Sequence, residues 1–163
     1  MIHLFLSLLF GFYDSFIMAE IKVREVNMTN PSDVAEETVL SGDQAFDLMR
    51  ELSTWGRLRT IIIHGGSVFE FDGAFPRGEM GSGYYNLQSA QQGFEGHINL
   101  DKVDHIAFQD ALHRGRQAYA FIFKDANGDN IFKVFIGRDE NGDLLTHQVE
   151  RFKQIRSNLD VKA

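Results

Sequence analysis

The chain has 163 residues and a formal charge of −7, with 16 basic against 23 acidic side chains and no cysteine. That length fits one domain with a usable core, and the acidic balance leaves no basic footprint for nucleic acid or an anionic membrane surface. Without thiols there is no disulfide framework, thiolate zinc site or cysteine nucleophile, which suits a reducing compartment.

Residues Met1 to Ile17 are strongly apolar and read at first like a signal sequence. No Lys or Arg precedes the apolar run, no small-residue cleavage site follows it, and Tyr13-Asp14-Ser15 interrupts it before the ~18 residues a spanning helix needs. The expectation is therefore no stable membrane insertion, with Met18-Ala19-Glu20-Ile21-Lys22 as the physiological start. Residues from Ile21 to Asp43 form a polar lead-in, so that 1–42 precede a single domain over 43–157, and 158–163 make a polar tail. Asp43 is expected to cap a helix whose Ala45, Phe46, Leu48, Met49 and Leu52 share one face, ending at Trp55-Gly56.

Arg57 to Asp72 read as a hairpin, because two β-rich runs flank Gly65-Gly66, a pair suited to a two-residue primed turn. That turn predicts the pairs His64–Ser67, Ile62–Phe69, Thr60–Phe71 and Arg59–Asp72, the last an ion pair on the polar face. His64 then shares a face with Ile62, Phe69 and Phe71, where a histidine serves either as a partnered structural residue or as a ligand.

The next stretch, Phe75-Pro76-Arg77-Gly78-Glu79-Met80-Gly81-Ser82-Gly83-Tyr84-Tyr85-Asn86-Leu87, sets three glycines before two tyrosines. Two readings fit: a long hairpin connection whose tyrosines finish a core edge, or a clamp in which Gly78, Gly81 and Gly83 bend the chain and deliver Tyr84 or Tyr85 to a ligand. His97 follows Gly96 at the start of a short strand, and His105 to Gln109 form another. Leu112 to Gln117, with Arg114 and Arg116, is the one local basic cluster, either a solvated turn or a partner for ligand carboxylates.

Ala118 to Arg138 place two aromatic strands around Asn127-Gly128, the preferred pair for a type I′ hairpin. Counting outward sets Phe123 against Phe132, Phe121 against Val134 and Tyr119 against Ile136, an apolar core face. The opposite face, with Ala120, Ile122, Lys124, Lys133 and Phe135, is mixed and suits partial exposure or an interface. A last helix carries Leu145, Val149, Phe152 and Ile155 on one stripe. Asp139, Asn141, Asp143 and Glu150 have the spacing of a calcium loop, but Leu144 stands where its sharp turn needs glycine. No nucleophile elbow, P-loop, dinucleotide fingerprint or zinc-hydrolase helix is present.

Several of these blocks together resemble the intracellular haem-carrier proteins of the HutX/ChuX family: Trp55-Gly56, Thr60-Ile61-Ile62 with His64, Phe69-Glu70-Phe71, Gly78 to Leu87, Gly96-His97, His105 to Phe108, and Phe132 to Glu140. The resemblance implies an α+β fold of antiparallel β-sheet with flanking helices, resembling one repeat of the two-repeat cytoplasmic haem-handling proteins, and a homodimer. It implies haem as bound cargo, received after import and passed to a haem-degrading or haem-accepting cytoplasmic protein. Gly78, Gly81 and Tyr84 fit the family's G-x-x-G-x-x-Y motif, which makes Tyr84 the axial iron ligand, with His64 and His97 lining the site. The alternatives are a haem-degrading enzyme akin to the two-repeat proteins and an interaction module of the same fold that binds no haem.

Overall fold

The computed structural model describes residues 39–88, 93–113 and 115–160. The apolar segment before Met18, the start expected there, Arg114 and residues 161–163 lie outside them. In chain order the elements are β1 (Val39–Ser41), a 3-10 turn (Gly42–Gln44), α1 (Ala45–Leu52), β2 (Arg57–His64), β3 (Ser67–Ala74), β4 (Arg77–Gly81), β5 (Tyr84–Gln88), β6 (Gly96–Ile98), a second 3-10 turn (Leu100–Lys102), β7 (His105–His113), β8 (Arg116–Lys124), β9 (Asn130–Ile136) and α2 (Thr146–Asp160). The strands form two antiparallel sheets, one of six in the order β1-β7-β8-β9-β2-β3 and one of three in the order β4-β5-β6. This is the α+β architecture expected. Two boundaries differ: β1 falls inside the stretch read as a lead-in, because Leu40 pairs with Ile106 and is buried, and α2 runs to Asp160.

The β2–β3 hairpin has the register its glycines specify. Gly65 and Gly66 both take positive φ, and His64–Ser67, Ile62–Phe69, Thr60–Phe71 and Arg59–Asp72 are opposed. On the polar face Asp72 accepts hydrogen bonds from Arg57 Nε at 2.5 Å and from an Arg59 guanidinium nitrogen at 2.8 Å.

The β8–β9 turn departs from the two-residue form. Only Gly128 of the turn has positive φ, and Asp125 Oδ1 accepts from the backbone N–H groups of Asn127 and Asp129, both at 2.9 Å. Lys124 faces Asn130, and a bulge beside Phe123 absorbs one residue, so Phe123 still faces Phe132 and Phe121 still faces Val134. The same turn recurs at Asp139, whose Oδ1 accepts from Asn141 and Asp143 N–H at 2.9 Å, with Gly142 at positive φ. The carboxylate of the calcium-like spacing is thus engaged by its own backbone.

Both helices cover the same face of the six-stranded sheet. Ala45, Leu48, Met49 and Leu52 are the buried stripe of α1. Asp43 lies inside the preceding 3-10 turn rather than capping the helix; Ser41 caps that turn, with Gln44 Oε1 accepting its N–H, and Gln44 stands at the N-cap of α1. Phe152 of α2 is fully buried against Phe108, Tyr119 and Phe121, with ring centroids 5.2, 5.3 and 4.9 Å away. Buried Gln148 fastens α2 to the sheet, its Oε1 accepting from Gly137 N–H at 2.7 Å and its Nε2 donating to the carbonyls of Trp55 and Arg57 at 2.8 and 3.0 Å. A bidentate Arg151–Glu51 pair at 2.6 and 2.9 Å joins the two helices. The opposite face is covered by neither helix and carries Ile61, Ala107 and Ala120, all buried, beside half-buried Ile122, Lys133 and Phe135.

Candidate functional site

The glycine-tyrosine stretch is itself a paired hairpin, β4–β5. Gly81 opposes Tyr84 across a turn in which Ser82 and Gly83 have φ of 54° and 81°, the pattern of a two-residue type I′ turn. Ser82 is the one non-glycine residue with positive φ among the described residues. The strand leaves the turn at Tyr84, so the pleat sends the two tyrosines to opposite faces.

Tyr85 points inward. It is fully buried, its ring meets Phe46 edge-on at 5.7 Å, and its hydroxyl has no hydrogen-bond partner. Burial pushes its phenol above the ordinary value. Tyr84 points outward and is 40% exposed. Of the two candidate phenols, Tyr84 alone can meet a ligand without opening the core.

The glycines before them are explained by packing. A Cβ on Gly78 would lie 2.4 Å from the Tyr85 ring and 2.8 Å from the Asn86 carbonyl oxygen, and one on Gly81 would lie 2.9 Å from Asn86 Nδ2. Gly78 makes room for the buried tyrosine, and Gly81 makes room for an amide that holds the hairpin.

That amide, which joins the hairpin to His97, is the residue that the sequence reading passed over. Asn86 Nδ2 donates to the carbonyl oxygens of Glu79, Gly81 and Tyr84 at 3.2, 3.1 and 3.2 Å. Its Oδ1 lies 2.6 Å from Nδ1 of His97, which stands directly opposite on β6. The signal was available: once the turn is set at Ser82-Gly83, residue 86 shares the face of residue 84.

His97 is exposed, and its ring stands edge-on to Tyr84 with centroids 6.3 Å apart. The structure therefore brings Tyr84 and His97 together. It does not bring in His64, which sits exposed at the β2–β3 turn on the other sheet and whose side chain makes no hydrogen bond or ion pair with another described residue. Of the cationic side chains, Arg77 is exposed on β4, and Arg116, at the turn end of the β7–β8 hairpin, donates to the Gly142 carbonyl. Arg138 donates to that same oxygen at 2.9 Å; burial and the nearby Arg116 charge lower its pKa.

The three-stranded sheet is anchored by aromatic rings. Phe75, just before β4, is buried with its centroid 6.4 Å from Phe132 and 6.1 Å from Phe94. Phe94, just before β6, stacks on Phe71 at 4.4 Å. The outward face thus presents a phenol and an imidazole from strands whose inward residues are fixed in the core.

The family model described as haem utilisation ChuX/HutX matches residues 38–155. A Vibrio cholerae protein named intracellular heme transport protein HutX is 35% identical over 140 residues, covering 85% of this chain and 72% of that one. A solved structure described as the heme binding protein ChuX is 30% identical with a TM-score of 0.69, covering 77% of this chain and 78% of that one. The apo form of PhuS, described as a heme-binding protein from Pseudomonas aeruginosa, has a TM-score of 0.62 at 10% identity. It is covered over only 34% of its length by 72% of this chain, a likeness of fold alone, in which this chain corresponds to about a third of a larger protein.

Proposed function

This chain belongs to the ChuX/HutX haem utilisation family, and we propose that it is a cytoplasmic carrier that binds haem as cargo and hands it to a haem-accepting or haem-degrading protein. The observation that carries this reading is the exposed phenol of Tyr84 beside His97, on a hairpin whose other tyrosine is locked in the core. A phenolate is an anionic oxygen donor suited to ferric haem, and coordination to the iron favours that form over a phenol of pKa about 10. Tyr84 is the iron ligand in this proposal, and His97 flanks it. His64, on the other sheet, lies outside that pair.

The carrier reading is supported over an enzymatic one by the name of the Vibrio cholerae relative, a transport protein. A partner of like kind is part of the proposal: the half-buried apolar residues Ile122 and Phe135 on the sheet face that neither helix covers support a homodimer. Phe135→Glu is expected to halve the mass seen by analytical ultracentrifugation, and an unchanged mass sinks that interface. Among the described residues no helix is long and apolar enough to cross a membrane.

The deciding experiment is a ferric haem titration of wild type and Tyr84→Phe, read by absorption and resonance Raman spectroscopy. One haem per subunit with an iron–phenolate signature that the variant lacks supports the proposal. Binding that survives the substitution with an unchanged spectrum removes Tyr84, and absence of binding by wild type removes the carrier reading. Addition of reductant is expected to leave the porphyrin intact; release of iron and a linear tetrapyrrole would make the protein an enzyme.

A further inference from the structure

Asn86 is oriented by a network that leaves it no choice. One end of its side chain faces three backbone carbonyl oxygens, of Glu79, Gly81 and Tyr84, at 3.1 to 3.2 Å. Carbonyl oxygens only accept, so the end that faces them must be the amide nitrogen. The amide oxygen then faces His97 Nδ1 at 2.6 Å, and an oxygen at that distance requires a hydrogen on the ring nitrogen.

A neutral imidazole carries one hydrogen, so placing it on Nδ1 leaves Nε2 with a bare lone pair. The two residues are opposed in register on β5 and β6, so the contact is built into the strand pairing. Gly81 belongs to the same device, since a side chain there would sit 2.9 Å from Asn86 Nδ2 and displace the amide.

We propose that Asn86 is a positioning residue that holds His97 as the Nδ1–H tautomer and so keeps an unprotonated Nε2 on the ring beside Tyr84. Asn86 touches no ligand in this arrangement; it acts through His97, as the partners behind metal-site histidines do. Its use, which rests on Tyr84 and His97 forming the haem site, is to keep a bare nitrogen, able to accept a hydrogen bond or donate to a metal, on the ring that stands edge-on to Tyr84. A histidine in the other tautomer would present N–H there and offer neither.

The test needs no haem. The imidazole nitrogens of His97 are read by 15N NMR in ligand-free protein at about pH 9, well above the ordinary imidazole titration near 6.5. Wild type is expected to show Nδ1 protonated and Nε2 bare. Asn86→Ala is expected to move the bare-nitrogen resonance from Nε2 to Nδ1. Asn86→Asp keeps an oxygen opposite Nδ1 while losing the three donated hydrogen bonds, and is expected to retain the wild-type pattern. An Nε2–H tautomer in wild type overturns the proposal, as does a pattern that Asn86→Ala leaves unchanged. A switch in Asn86→Asp as well as in Asn86→Ala also overturns it, since the hairpin and not the oxygen would then be in control. Haem titration of wild type is scored separately: if it shows no binding while the tautomer behaves as stated, the carrier reading falls and the positioning role of Asn86 stands.

Discussion

The two sheets obey the same antiparallel rules but are held by different means. The six-stranded sheet is held by apolar volume, with Phe121, Phe123, Val134 and Phe152 all fully buried. The three-stranded sheet buries only Tyr85 and Leu87 from its own strands and relies besides on two aromatic anchors and one side-chain amide, and its outward face is polar. A core of rings tolerates no reactive group, whereas a small sheet fixed from behind can expose a phenol and an imidazole at a set spacing. The helix-covered aromatic core and the proposed ligand groups thereby lie on separate sheets of one fold.

Substitutions sharpen this contrast, and the largest effect is expected in the large sheet. Phe152→Ala empties a site lined by three aromatic rings and is expected to cost about 3–5 kcal/mol in urea unfolding while leaving the haem affinity of the folded fraction unchanged. A loss of haem affinity from the folded fraction would join what the comparison separates. Gly78→Ala drives a methyl into the Tyr85 ring and the Asn86 carbonyl. About 1–3 kcal/mol is expected from such overpacking, together with a change in the His97 ring signals; a silent substitution would show that the hairpin yields easily.

Tyr85→Phe removes a buried hydroxyl that has no partner, so its expected effect near neutrality lies between zero and a stabilisation of about 1 kcal/mol. In alkali it has a sign. Because burial raises the Tyr85 pKa, the stability linked to its neutral form is complete below the unfolded value near 10 and is lost as pH rises through the folded value. The phenylalanine variant should lack that alkaline loss, while Tyr84→Phe should retain it. The smallest effect is expected at Asp72, whose carboxyl is held below the usual range first by the hydrogen bond from Arg57 and further by Arg59. Its contribution is present above the unfolded carboxylate value near 3.9 and is lost as pH falls through the folded one. Asp72→Asn should lower stability by a small, nearly constant amount above about pH 5 and flatten the acid limb, so that its difference from wild type disappears in acid; a loss that persists at low pH would point to packing instead.

Legibility in the sequence followed distance along the chain. Gly65-Gly66 set the β2–β3 register directly, and the β8–β9 pairs Phe123–Phe132 and Phe121–Val134 came out right even though the turn type did not, because the bulge restored the residue that the longer turn consumed. Three-residue β1 carries too few side chains for a pattern and owes its place to pairing with β7. Ser82 occupies a left-handed position without the glycine that usually marks one, so the β4–β5 turn was hidden. Which of Tyr84 and Tyr85 is exposed depends on that turn. The contact of Asn86 with His97 depends on β5 meeting β6 across an intervening loop, which no local motif encodes. His64 was grouped with the site from a family resemblance, and the fold sets it on the other sheet.

The adjacent tyrosines make the identity of the exposed phenol a matter of parity. A deletion or insertion of one residue in the Ser82-Gly83 turn, with β5 re-pairing to β4 in the shifted frame, would turn Tyr85 outward and Tyr84 inward, so a phenol would still be displayed. The same slip would turn Asn86 toward the core and leave His97 with nothing to fix its tautomer. The hairpin therefore carries a duplicate of the proposed oxygen donor but not of Asn86, and a frame-shifted hairpin would keep an exposed phenol and lose the amide contact to His97.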